Sequence, residues 1–105
     1  MKHNIHFSHL ALLDLEAIIE YYHNLSPKTA SKYYHGIMKA TTRVRSFPEI
    51  GRIVPEFEED YIEKYREILF DNYRIIYRTE GTTSHIIRII DSRRLLTLDF
   101  VKTVR

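Results

Sequence analysis

Tyr65-Arg66-Glu67-Ile68-Leu69-Phe70-Asp71-Asn72-Tyr73-Arg74-Ile75-Ile76-Tyr77-Arg78-Thr79 is the stretch that decides the fold. It is rich in Ile, Tyr and Phe, residues that fit a pleated, half-buried surface, and it reads as two strands, 65–70 and 73–79. Asp71-Asn72 supplies a two-residue hairpin turn between them, because both residue types tolerate positive φ. A third strand, 84–91, follows the turn Glu80-Gly81-Thr82-Thr83, so the three strands are expected to form an antiparallel meander. In the middle strand, Arg74, Ile76 and Arg78 share one face and Tyr73, Ile75 and Tyr77 the other.

Upstream of the meander, residues 48–63 lack periodicity, and Pro48, Gly51 and Pro55 mark them as mostly loop. Before that the period is helical. Ser8 caps a helix over 9–23 with an apolar stripe of Leu12, Leu15, Ile19 and Tyr22, widened by Leu13 and Ile18. Ser26-Pro27 starts a second helix, with proline at the first helical position where no amide is missed. It runs to about residue 46 and turns Ala30, Tyr33, Ile37, Val44 and Phe47 to the core; Pro48 disfavours helical geometry at Phe47 and ends it. Residues 3–7 alternate and form a short first strand. The order β-α-α-β-β-β is an α+β architecture, a helical hairpin on one face of an antiparallel sheet, with the other face open to solvent or a partner.

With 105 residues the chain is expected to be one domain, 1–105. It has no cysteine, which excludes a disulfide framework and thiolate metal sites. No secretory leader is recognisable and no apolar run approaches the roughly 18 residues that span a bilayer, so a cytoplasmic protein without membrane contact is expected. Net charge is +2, but Glu56, Glu58, Glu59, Asp60 and Glu63 against Lys64 give that segment −4, leaving +6 on the rest. A basic body suits a polyanion or an acidic protein, and it equally suits an ordinary solvated surface.

Two sets of basic residues are candidates for binding. Lys28, Lys32, His35, Lys39 and Arg43 form one continuous face of the second helix, which is either a contact for phosphates or an acidic protein, or simply the solvated side of an amphipathic helix. Arg66, Arg74, Arg78 and Arg88 lie on the strands, with Arg93 and Arg94 just beyond. Guanidinium groups on a rigid sheet can grip phosphates or stabilise charge during phosphoryl transfer; alternatively they pair with Glu67, Asp91 or the acidic loop. Tyr73 and Tyr77 beside them are candidates for base stacking. The six histidines show no metal or catalytic spacing, and with three glycines there is no phosphate-cradling loop, so no metal or cofactor is expected.

Taken together, the helix Ala11-Leu12-Leu13-Asp14-Leu15-Glu16-Ala17-Ile18, the segment Phe47-Pro48-Glu49-Ile50-Gly51-Arg52 followed by Pro55-Glu56, the pair Arg66-Glu67, the strand Tyr73-Arg74-Ile75-Ile76-Tyr77-Arg78, and the last strand running into Asp91-Ser92-Arg93-Arg94-Leu95 resemble the RelE/ParE superfamily of type II toxin–antitoxin toxins, the plasmid-stabilisation group included. The resemblance spans about residues 5–96. It implies a growth-arresting toxin neutralised by a cognate antitoxin, through which any operator DNA is contacted. It implies one of two targets. RelE-like members cleave mRNA on the ribosome without a metal; ParE-like members poison DNA gyrase. Carried over by motif, Arg74, Arg93 or Arg94, and Glu56 match residues used in RNA cleavage. Phe100 stands where the RelE tyrosine would be, and a phenyl ring cannot exchange protons; Glu67 falls near the position of a lysine; no histidine follows the last strand. These departures favour the gyrase side. A ribonuclease, and a degenerate toxin kept as an antitoxin-binding module, are the alternatives.

Overall fold

A computed structural model describes residues 3–58 and 64–95; Glu59, Asp60 and Glu63 of the acidic run, and Phe100, lie outside the described residues. The elements are β1 (Asn4–Phe7), α1 (His9–Leu25), α2 (Pro27–Ser46), β2 (Arg52–Ile53), α3 (Pro55–Glu58), β3 (Tyr65–Phe70), β4 (Tyr73–Glu80) and β5 (Thr83–Asp91). The sheet order is β1-β5-β4-β3-β2. The meander β3-β4-β5 is antiparallel as read from sequence.

Local chemistry explains the helix starts. Ser8 Oγ accepts the Ala11 N–H at 3.0 Å and donates to the Ile87 carbonyl at 2.8 Å, so one buried hydroxyl both caps α1 and ties it to β5. Ser26 caps α2 through the Thr29 N–H, with Pro27 next. The hairpin packs on the sheet around Ala11, Leu15, Ile37, Val44, Ile75 and Ile86. Tyr22 and Tyr33 stack at 3.8 Å between ring centres where the helices meet, with Tyr73 and Phe70 edge-on. Tyr33 donates to the Asp71 carboxylate, which stands at the hairpin turn with φ 51°.

Some expectations need correction. β1 pairs parallel with β5, so the sheet is mixed: the helical hairpin carries the chain to β2 at the far edge, and the meander brings it back to β5 beside β1. In the described part of the segment read as mostly loop, 48–58, β2 adds an edge to β3 and α3 follows it. The face away from the hairpin is therefore not wholly open: Val54 and Phe57 close a second small core with Tyr65, Ile76, Ile87 and Ile90. On α1 the buried stripe is Ala11, Leu15 and Ile18, while Leu12 and Leu13 are exposed; Phe47, already out of helical geometry at φ −137° and ψ 83°, is 67% exposed. Finally, the second hairpin turn is as short as the first, because β4 and β5 run on to Glu80 and Thr83 and Gly81 supplies the positive φ of 58°.

Candidate functional site

The site predicted around Arg74 lies on the sheet face away from the helical hairpin. β2, β3 and β4 set Arg52 opposite Glu67, with Arg74 diagonally across from Glu67 on the next strand. α3 then brings Glu56 over the same spot. The Arg74 guanidinium is tightly engaged. Nε donates to Glu67 Oε1 at 2.7 Å, Nη1 to Glu56 Oε2 at 2.7 Å and to the Arg94 carbonyl at 2.8 Å, and Nη2 to Glu56 Oε1 at 2.6 Å. Nη2 also lies 2.6 Å from Glu67 Oε1. Four of the five N–H donors of this arginine are thus hydrogen-bonded, and Nη2 also stands in an ion pair with Glu67. Glu56 and Glu67 hold the guanidinium charged more firmly than usual, the Glu56 bonds counting most and burial opposing them. Glu67, whose side chain is 0% exposed, takes Arg52 on its other oxygen at 2.6–2.7 Å.

Next to this network lies a cleft of about 440 Å³ lined by Arg52, Pro55, Glu56, Leu69, Arg74, Ser92, Arg94 and Leu95. Among the described residues that line it there is no histidine or tyrosine, so none of them offers an imidazole or phenol to move a proton. A larger depression of about 880 Å³ lies among His3, Phe47, Ile50, Lys64 and Arg66; of the predicted site residues it contains Arg66 alone.

The structure brings Arg74, Glu56 and Arg94 together and separates the rest. Arg93 turns back onto the Asp91 carboxylate at 3.0 Å and, with it, holds Asp91 down at about 2. Arg66 donates to the Gly51 carbonyl at 2.8 Å, Arg78 pairs with Glu80, and Arg88 makes a two-pronged contact with Asp14 at 2.7 and 2.8 Å. Lys28, Lys32, His35, Lys39 and Arg43 form an unbroken exposed row on α2, on the hairpin side of the sheet. Tyr73 and Tyr77 are not stacking platforms. Tyr73 belongs to the aromatic cluster under the helices, and Tyr77 is fully buried, accepting the Gly51 N–H at 2.9 Å and donating to the Pro48 carbonyl at 2.8 Å.

Sequence reasoning missed Arg52, the outer partner of Glu67, and Asp14, which bonds both Arg88 and the Ile89 N–H. The available signal was alternation: Glu67 and Arg74 fall on the same strand face as buried apolar residues, and a charge there needs a partner.

Comparison with known proteins agrees with this architecture. Residues 5–96 match the family described as the ParE toxin of type II toxin-antitoxin system, parDE. Among solved structures, one titled "Chromosomal ParDE TA system from P. aeruginosa" superposes with a TM-score of 0.69 at 20% identity, over 86% of this chain and 96% of that one. Among curated proteins, comparison by sequence finds no match. The family match spans nearly the whole described fold, cleft and helical hairpin included: this chain belongs to the ParE toxin family of type II toxin–antitoxin systems.

Proposed function

We propose that this chain is the toxin of an antitoxin-paired module and that it arrests growth in the cytoplasm by acting on DNA gyrase, without cutting RNA. The observation that carries this reading is the tight internal engagement of Arg74. A metal-independent ribonuclease needs donors for the scissile phosphate and groups that exchange protons with the 2′-hydroxyl and the leaving oxygen. Here the central arginine gives four hydrogen bonds to Glu56, Glu67 and the Arg94 carbonyl and also pairs closely with Glu67 through Nη2. Glu56, the one matched carboxylate, is itself held by that arginine. Arginine and glutamate form an internal brace at this point, which supports a toxin that acts by binding.

The cognate antitoxin is placed by this reading on the helical hairpin. The exposed basic row of α2 lies there, and Leu12 and Tyr34 offer apolar surface beside it at 50% and 43% exposure. An acidic, disordered segment that folds as an amphipathic helix matches both features. The decisive experiment adds purified chain to gyrase with supercoiled DNA, and separately to translating ribosomes. Cleaved gyrase–DNA complexes with intact mRNA are expected. Normal supercoiling at excess toxin with cut mRNA would replace this reading by the ribonuclease; expression without growth arrest would replace it by an antitoxin-binding module.

A further inference from the structure

Parallel pairing of β1 with β5 creates a pair of side chains that are 79 positions apart in the chain. His6 and His85 are register partners, and their Nδ1 atoms lie 3.3 Å apart, with the rings at 72°. They sit on the sheet face away from the hairpin, because their neighbours Ile5, Phe7 and Ile86 pack into the core on the other side. His6 is exposed and His85 half-buried. The close approach requires that one Nδ1 carry a proton and the other a lone pair.

We propose that His6 and His85 form a two-imidazole chelate for a divalent cation of borderline softness, such as zinc or nickel, with water completing its coordination. At a metal–nitrogen distance of about 2.0–2.1 Å, a tetrahedral ion sets its imidazole nitrogens about 3.3–3.4 Å apart. The two strands already hold that spacing, so the shared proton can be exchanged for a metal with ring rotations alone. Arg78, the register partner of His85 on β4, opposes a cation there, but its charge is offset by Glu80. Among the described residues no group of three or more histidines, cysteines or carboxylates is placed to hold a metal, so this site is weaker than a four-ligand structural one. Its consequence is mechanical. A metal here fastens the edge strand β1 to its neighbour β5 and closes a loop of 79 residues.

The test uses tag-free protein titrated with zinc or nickel by calorimetry, alongside its thermal midpoint. One-to-one binding and a raised midpoint are expected. His6→Gln and His85→Gln should each weaken binding about tenfold or more, since even outer-sphere partners of a metal are worth that much. His23→Gln and His35→Gln, both on exposed helix surface, should leave it unchanged. Unaltered binding in the His6→Gln protein, whose exposed position makes it safe for folding, would overturn the proposal. So would the absence of any binding to the wild-type chain, or its loss only with His23 or His35.

Discussion

Arg74→Met separates an arginine that braces the fold from one that works on a phosphate. The Arg74 side chain is 6% exposed and lies between Glu67, at 0%, and Glu56, at 18%. In the variant, Glu67 keeps only Arg52, whose own side chain is 59% exposed and held at the rim. The Arg94 carbonyl also loses the Arg74 donor. Removing one partner of a buried ion pair costs about 3–5 kcal/mol, because the remaining carboxylate stays desolvated. A domain of this size has about 5–15 kcal/mol in total, so the loss is a large share. It should lower the melting midpoint by at least roughly 12 °C in thermal unfolding followed by circular dichroism. Adding Glu67→Gln to the Arg74→Met protein removes the stranded charge and should restore at least about 1 kcal/mol, a non-additivity that a double-mutant cycle reads directly. Gyrase poisoning by Arg74→Met should persist at temperatures where the variant is folded. A variant within about 0.5 kcal/mol of wild type would refute the brace, since that is how an exposed surface residue behaves.

Three further outcomes are expected. Tyr77→Phe removes a buried hydroxyl that serves both the Gly51 N–H and the Pro48 carbonyl, and should cost about 1–3 kcal/mol in urea unfolding. Gly36→Ala on α2 places a methyl 2.0–2.6 Å from the Phe70 ring; overpacking of about 1–3 kcal/mol should outweigh a helix-propensity gain of about 1 kcal/mol, and Phe70→Leu in the same chain should relieve it. His85 has a lowered pKa in the fold, so the unfolded chain binds its proton first and stability should fall as pH drops through the unfolded value of about 6.5; a urea midpoint series across that range should be flatter in His85→Gln.

Local chemistry was legible in the sequence, and distant pairing was not. Ser8, Ser26-Pro27 and Asp71-Asn72 announce their caps and turn through the backbone conformations they favour, and the structure has them there. Strand alternation correctly divided Ile75 and Tyr77 from Arg74 and Ile76. The parallel ladder of β1 on β5 left no local trace, since its partners lie 79 residues apart in the chain. β2 and α3 escaped because strands of two residues and helices of four have no period to detect. Their effect is nonetheless large: Val54, Glu56 and Phe57 cover the second sheet face and convert an apparently open arginine into a buried one. Sequence shows that Arg74 is on a face. Which carboxylate consumes it depends on where an irregular segment eighteen residues upstream comes to rest.

Ion pairing also relocates the basic surface of the molecule. Among the described residues, Arg52, Arg74, Arg78, Arg88 and Arg93 all have a carboxylate partner, and Arg66 donates to carbonyls. The strand arginines therefore present much less free charge than their number suggests. Lys28, Lys32, Lys39 and Arg43 have no carboxylate partner among the described residues and stand exposed in a row along α2. An uncompensated row projects its field into solvent, whereas a paired arginine is neutralised within a few ångströms. The uncompensated positive field thus originates on the helical hairpin. The arginines of the sheet act at short range, holding β2, α3 and the exit from β5 in place. The sheet fixes the shape of this toxin, and α2 carries the charge that an acidic partner meets first.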